Sequence, residues 1–501
     1  MTYDSLTSTA MRWEKLLCDT RVIDLNTPRN SLPAHNTVEA TTTKGDTRSE
    51  YERDYDRALF STPVRRLQDK AQVFPLEPHD SVRTRLTHSL EVSNIAQSIA
   101  NRVVPWMIQY GKIDEDLAPA IKPIAATCGL IHDLGNPPFG HAGEEAMRAW
   151  FNERFRKEPQ LRQELDSQSH GLRLSADFEH FEGNAQTLRL ITRLQMLADF
   201  DGLNLTCATL SAALKYTARA DHLSDDIHEH EKPGYFFSER DLVEKVRTKT
   251  GTGNARNPIT FIVEASDDIV YSVVDLEDGI KKGALTWDQL RDAFSDQRWV
   301  GKSVELATTL MDKAENNVKK RLERAGLTAA SMSAQALDEA KAQMFRTYAI
   351  GANVDAVVAA FKKYYKEIMQ GQYHGELIKC GDTGPFVKAC KQIARERVFT
   401  SSDILRLELM GKQVIFDLMD FFWEGAKEAP FPEDKRRGFA WKTYSLLSEN
   451  YRTVFENDTT EKRIKETGLP VTYRRLQLVA DYICGMTDTF ACTLHQKLMN
   501  G

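Results

Sequence analysis

Residues Cys128–Glu145 read C-G-L-I-H-D-L-G-N-P-P-F-G-H-A-G-E-E, and the fold follows from how this stretch stops and starts. Ile121, Ile124, Ala125, Leu130 and Ile131 mark an apolar helix that delivers two adjacent metal-competent side chains, His132 and Asp133. Gly135-Asn136-Pro137-Pro138 cannot continue that helix. The chain restarts at Gly140-His141-Ala142-Gly143-Glu144 and runs on as an amphipathic segment, Glu145–Phe155. A lone His at a helix end is ordinarily a cap or a satisfied core group. A buried helix that ends in two polar groups is nevertheless costly unless both find partners, and a cation is the natural one.

Working outward, Leu86–Val104 reads as a helix closed by Pro105, with His88 on its first turn and Arg85 three residues before it. Imidazole is the commonest metal ligand, and an arginine one turn away is well placed for an anionic substrate. Far downstream, Pro258–Ile280 is an apolar helix that carries acidic residues. Asp267, Tyr271 and Asp275 are spaced i, i+4, i+8 and share one face of it. A salt bridge would explain a single buried aspartate. Beside His88, His132 and Asp133, metal ligation by Asp267 explains it better: two imidazoles and two carboxylates match one divalent cation. Mixed nitrogen and oxygen ligation suits Mn, Fe, Co, Ni or Zn, with Mg also accommodated.

Composition narrows the class. The chain has 501 residues, 41% hydrophobic and 28% charged, which suits a soluble globular protein with a large core. No apolar run approaches the ~18 residues a membrane span needs, and Met1–Leu17 lacks a signal-peptide pattern. Seven cysteines with no CxxC pair point to reduced thiols and a cytoplasmic location. A net charge of −6 gives no global reason to bind nucleic acid. Basic clusters such as Lys435-Arg436-Arg437 are ordinarily solvated faces.

Periodicity makes the chain all-α, with Val471–Tyr473 and Thr260–Val263 ambiguous between strand and helix. Residues 1–50 are polar and Thr-rich, and read as poorly ordered or draped over the surface. Residues 51–282 carry every ligand named so far, and 283–501 read as a helical extension. Within that extension, Val354–Ile368, Pro385–Val398, Ser402–Trp423 and Tyr473–Leu498 are the expected helices.

The H…HD…D order resembles the HD phosphohydrolase superfamily, and an ordered set of motifs resembles the deoxyguanosinetriphosphate triphosphohydrolases within it. That set is Arg65-Arg-Leu-Gln68-Asp-Lys-Ala-Gln72-Val-Phe-Pro-Leu, Arg83-Thr-Arg85-Leu-Thr-His88-Ser, His132-Asp-Leu-Gly-Asn-Pro-Pro-Phe-Gly-His141 and His180-Phe-Glu-Gly-Asn184-Ala-Gln. It continues through Leu214-Lys-Tyr216-Thr, Lys232-Pro-Gly-Tyr235, Glu264-Ala-Ser-Asp-Asp-Ile and Gly485-Met-Thr-Asp488. The resemblance implies an HD-domain helical core over 51–282 and peripheral helices over 283–501 that contribute base recognition and oligomer contacts. It implies His88, His132, Asp133 and Asp267 as metal ligands, and His141 with Glu144 as catalytic histidine and orienting carboxylate. Spaced i, i+3, that pair can hydrogen-bond.

Arg85, Lys215 and Lys232 resemble phosphate-contacting cations. Gln68, Asn184, Tyr216, Tyr271 and Asp275 resemble sugar and pocket residues. Phe399 and Glu408 resemble the base-reading segment, although Phe399 also fits as a staple ahead of a helix cap. The implied activity is metal-dependent hydrolysis of dGTP to deoxyguanosine and triphosphate, with Mg or Mn as metal. Other dNTPs are further substrates, a homo-hexamer is the expected assembly, and single-stranded DNA is an expected effector. A broad-specificity dNTP hydrolase, an HD-type 5′-nucleotidase or phosphodiesterase, and a non-enzymatic nucleotide sensor or single-strand-binding protein are the alternatives.

Overall fold

The structure, a computed structural model, describes residues 10–26, 46–76, 81–167, 171–195, 199–296, 298, 302–400 and 402–499. Among these the chain forms 23 α-helices and no sheet, so the all-α expectation holds. Extended pairing is limited to three isolated bridges, Arg21 with Thr206, Ala71 with Thr84 and Ala218 with Pro233. Both ambiguous segments are helical.

The helices that build the site are α1 (Arg85–Gln109), α2 (Ile121–Ile131), α3 (Gly140–Lys157) and α4 (Pro258–Lys281). The extension adds α5 (Ala334–Met369), α6 (Ser402–Ala426), α7 (Val471–Cys484) and α8 (Asp488–Met499). Thr84 launches α1 through a reciprocal capping box with Thr87, which puts Arg85 and His88 on the first turn. Asn257 caps α4 by accepting from Ile259 N–H (3.0 Å), and Pro258 takes the first position, where its missing N–H costs nothing. Val92 of α1 packs against Val270 and Val274 of α4. That seam brings His88, one turn back, to Asp267.

Two buried clusters share the molecule. One gathers Leu130, Ile131, Leu134 and Phe139 with α3, α6 and α7. The other gathers Ile124, Ala125 and Cys128 with α1, α4 and α5. Each fully buried aliphatic or aromatic side chain contributes roughly 1.5–3 kcal/mol. Helix α2 contributes to both clusters, and the His132–Gly140 turn after it is anchored in the first by Leu134 and Phe139.

Four details depart from the sequence reading. Pro105 does not close α1; the helix runs through it to Gln109. The lost hydrogen bond and ring clash cost on the order of 3 kcal/mol. Burial of Met107 and the edge contact of Trp106 with Tyr365 (5.5 Å) offset it. Residues 10–26, expected to be poorly ordered, are packed: Trp13 and Leu16 are buried, and Trp13 Nε1 donates to Tyr365 Oη at 2.8 Å. Residues 1–9 and 27–45 of that segment lie outside the described residues. The Val354–Ile368 helix is the end of the longer α5, and Tyr473–Leu498 is two helices that part at Gly485.

Candidate active site

The turn after α2 is held by its own polar groups. Asn136 Nδ2 donates to Asp133 Oδ1 at 2.6 Å, so the residue read only as a helix breaker also orients a candidate ligand. Phe139 enters α3 with φ +63°, a left-handed conformation that costs a non-glycine residue on the order of 1–3 kcal/mol. Gly143 has to be glycine because a Cβ there would lie 1.9 Å from the Pro138 carbonyl oxygen. The turn is thereby folded tightly onto the first turn of α3.

His88, His132 and Asp267 come together with one ligand atom each, all within 4.8 Å of one another. His88 Nε2 and Asp267 Oδ1 are 3.0 Å apart. His132 Nδ1 donates to the Gly129 carbonyl at 2.7 Å, which leaves Nε2 with the lone pair. That Nε2 is buried without a hydrogen-bond partner. Burial opposes protonation of His132, but Asp133 and Asp267 raise its pKa to about 9, a field that favours a cation among these groups. The donor set and the orphaned nitrogen fit a divalent metal. Asp133 stands beside the trio, with Oδ2 3.5 Å from His132 Nε2 and 2.6 Å from Arg85 Nη1. Asp268, next in sequence to Asp267, turns away and pairs with Lys391 Nζ at 2.5 Å.

His132, Asp133 and Asp267 line a cavity of about 140 Å³, with His88 buried behind them, and Arg85, His141, Glu144, Glu182, Lys215 and Lys232 line it too. Among the described residues no hydrogen bond joins His141 to Glu144, contrary to the expectation from their spacing. Glu144 Oε2 instead accepts from Gly183 N–H (3.1 Å), and Oε1 faces Arg148 (3.1 Å). Gly183 must be glycine, since a Cβ there would meet Asn136 Oδ1 at 2.2 Å. Burial, then the charge of Glu182, raises the Glu144 carboxyl to about 7. Desolvation by the surrounding protein, then repulsion from Arg85, lowers the His141 imidazole. Glu182 binds Asn184 Nδ2 (2.7 Å) and approaches Lys232 Nζ (3.3 Å). Lys215 Nζ lies 4.0 Å from Asp267 Oδ2, and both lysines lie over the Tyr216 ring.

Arg85, Asn184, Lys215, Tyr216, Lys232 and Tyr271 all reach the cavity, as the motifs implied. Five expected residues do not line it, one of them His88, which is buried behind Asp267. Gln68 is exposed: in the turn Leu67–Asp69, Leu67 faces the core and Gln68 faces solvent, while Gln72 lines the cavity with its Oε1 buried and unpartnered. Asp275 lies two turns beyond Asp267 and is fully buried, with neither carboxylate oxygen hydrogen-bonded. Phe399 packs beside Phe74, Val82, Val398 and Ile404. Glu408 is half-buried on α6, where burial and then Glu145 raise its pKa. The sequence reading passed over Gln72, Asn136, Glu182 and Glu264 as cavity residues, although all four stand inside motifs already singled out. A second hollow of about 330 Å³, lined by Met11, Trp13, Lys112 and Tyr365 among others, contains none of the candidate site residues.

Comparison with known proteins agrees with this arrangement. Residues 85–226 match the HD domain, and residues 385–497 match the phosphohydrolase-associated domain. A deoxyguanosinetriphosphate triphosphohydrolase-like protein of Listeria innocua is 35% identical over 97% of this chain and 99% of its own length. A protein of the same description from Synechocystis is 31% identical, over 90% of this chain and 94% of its own. The deoxyguanosinetriphosphate triphosphohydrolase of Serratia proteamaculans is 31% identical over the same shares. With its candidate ligand cluster, cavity cations and similarity over nearly the whole chain taken together, the chain belongs to the deoxyguanosinetriphosphate triphosphohydrolase family of HD-domain proteins.

Proposed function

We propose that the protein is a metal-dependent dNTP triphosphohydrolase that converts dGTP and water to deoxyguanosine and tripolyphosphate. The observation that carries the reading is the orphaned, buried Nε2 of His132 beside His88 and Asp267, in a cavity that also presents Arg85, Lys215 and Lys232. His88, His132, Asp133 and Asp267 would hold the metal, Mg or Mn. When bound, it would supply Lewis-acid polarisation of a phosphoryl oxygen.

The chain's own residues supply the rest. Arg85, Lys215 and Lys232 neutralise the triphosphate and orient it. His141, with its lowered pKa, is neutral at pH 7 and able to accept a proton from the attacking water. Gln72, Tyr271 and Asn184 face the sugar; Asp275, Phe399 and Glu408 lie beyond the wall and meet the nucleoside only if that wall opens. The water oxygen bonds to the α-phosphorus as its proton passes to His141, the P–O5′ bond breaks, and O5′ leaves as the nucleoside hydroxyl with the proton His141 returns.

Product analysis tests this reading. Incubated with dGTP and Mn²⁺ in ¹⁸O-labelled water, the protein is expected to release deoxyguanosine and labelled tripolyphosphate in one step. Early dGMP with pyrophosphate, or orthophosphate ahead of nucleoside, would overturn the assignment. Parallel runs with the other dNTPs measure how broad the specificity is.

Assembly and effector belong to the same proposal. We take the protein as a cytoplasmic homo-hexamer whose 283–501 extension supplies oligomer contacts, with single-stranded DNA as an effector. Among the described residues no helix is long and apolar enough to cross a membrane. Phe439 is 85% exposed with Lys442 5.3 Å from its ring centre, and Arg436 lies over Trp441 (5.6 Å). An exposed aromatic with cations nearby, Phe439 beside the half-buried Trp441, suits stacked bases and a phosphate backbone. Light scattering is expected to return several times the 56.9 kDa chain mass, and DNA to lower the dGTP concentration required, less so at higher salt. An active monomer indifferent to DNA removes this part.

A further inference from the structure

Gly485-Met-Thr-Asp488, one of the matched motifs, has no part in the cavity wall, yet it ends in a carboxylate that ties two distant backbones together. Asp488 is 2% exposed. Its Oδ2 accepts from Ala71 N–H at 3.0 Å and its Oδ1 from Phe139 N–H at 3.0 Å. Lys70 makes the complementary contacts with an ammonium. Its Nζ donates to the Asn136 carbonyl (2.6 Å) and the Cys484 carbonyl (2.7 Å). Three remote segments, 69–72, 136–140 and 484–488, are joined by these two side chains.

What they join matters to the chemistry. Ala71 precedes Gln72 of the cavity wall, and the Lys70 carbonyl accepts from Arg85 N–H (3.0 Å) beside the Ala71–Thr84 bridge. Phe139 is the left-handed residue two positions before His141. A non-glycine residue stays in that conformation only where its surroundings over-determine it. Here Asp488 fixes its N–H, and its ring lies so close to α6 that a Cβ on Gly411 would come within 2.6 Å. None of the described residues after Tyr271 lines the cavity. The C-terminal region therefore reaches the site through contacts of this kind.

We propose that Asp488 is a positioning residue for hydrolysis, holding the His141 turn and the Gln72–Arg85 segment in register across the cavity. The C-terminal region thereby governs turnover without touching substrate. The inference rests on the triphosphohydrolase reading above. Simple docking of α8 is the competing explanation, and Thr489 separates the two. Its Oγ1 donates to Asp69 Oδ1 at 2.8 Å, joining the same two segments on the solvent side.

The test compares full-length wild type, Asp488→Asn and Thr489→Ala. Asparagine keeps the shape but offers one acceptor atom where two N–H groups must be served. Asp488→Asn is expected to lower kcat on dGTP roughly a hundredfold, the scale of a 1 Å misplacement. Bound Mn²⁺ per chain should stay at the wild-type value, and amide exchange across 134–143 should quicken tenfold or more. Thr489→Ala should match wild type in all three. Wild-type kcat or wild-type exchange in Asp488→Asn overturns the proposal, and so do equal losses in Thr489→Ala. Should Asp488→Asn fail to fold, Lys70→Met, which removes the companion contact to Asn136, is read in its place with the same expectations. Exchange needs no substrate. A wild type that releases no tripolyphosphate therefore removes the functional reading, while the exchange comparison still decides the clasp.

Discussion

Replacing Asp267 with alanine is expected to remove bound manganese and to lower dGTP turnover roughly a thousandfold, the rate equivalent of several kcal/mol of Lewis-acid stabilisation. Asp267 is the carboxylate of the tight trio, 3.0 Å from His88 Nε2 and 3.6 Å from His132 Nε2. Its removal leaves two imidazoles and Asp133, whose Oδ2 is already paired with Arg85 at 2.6 Å, a poor donor set for a hard divalent ion. Asp268→Ala is the matched control. Asp268 sits about 100° round the helix, and its partner is Lys391, whose ammonium is partly exposed and can turn to solvent. Metal content measured on both variants, with turnover alongside, is expected to separate them cleanly. Equal metal loss in the two would show that the wrong aspartate has been assigned.

His141→Ala is expected to cost roughly 10²–10⁴-fold in kcat, the usual contribution of a positioned acid–base group. It should leave bound metal unchanged, because His141 touches none of the trio. Its companion adds a pH signature. Glu144 carries a pKa raised to about 7 by burial and by Glu182, so its ionised form accumulates as pH rises through that value. A carboxylate orients an imidazolium better than a carboxylic acid does, and kcat should climb across the same range. Glu144→Gln should be slower and flat there. The two side chains are not hydrogen-bonded without substrate, and contacts of this kind tighten in the substrate complex. A wild-type profile flat from pH 6 to 8, or a Glu144→Gln variant that keeps the slope, would remove Glu144 from this role.

How much of this was readable in advance depended on the distance over which each residue is determined. The stop and restart around His132 and His141 are local, written in two prolines and three glycines, and the helices fall where those residues put them. The face shared by Asp267 and Tyr271 is likewise a matter of 3.6-residue spacing. Gln68 was misplaced because a short 3₁₀ turn follows neither helical nor strand spacing, so motif resemblance chose the wrong glutamine of two. Helix α1 outran Pro105 because Trp106 packs on Tyr365, more than 250 residues away, and Met107 is buried in the same core. Met11 and Trp13 were hidden in a polar, Thr-rich segment, and their partners Met369 and Tyr365 lie more than 350 residues away. Glu182 and Asn136 were visible as letters. Their partners, Lys232 and Asp133, are facts of three dimensions.

The span of the Asp488 and Lys70 contacts also sets a clock on synthesis. All four candidate metal ligands have been made once Asp267 is added, but the bonds to Phe139 and Ala71 need a residue roughly 220 positions later. At roughly 5–20 residues per second that is roughly 10–45 s. Through that interval a nascent chain holds the ligand residues and His141 with the left-handed turn unfastened. Contacts between positions 349 and 417 apart are among the last any chain can form. Any competence that depends on these bonds therefore waits for Asp488 to be added, after every residue of the cavity wall has been made.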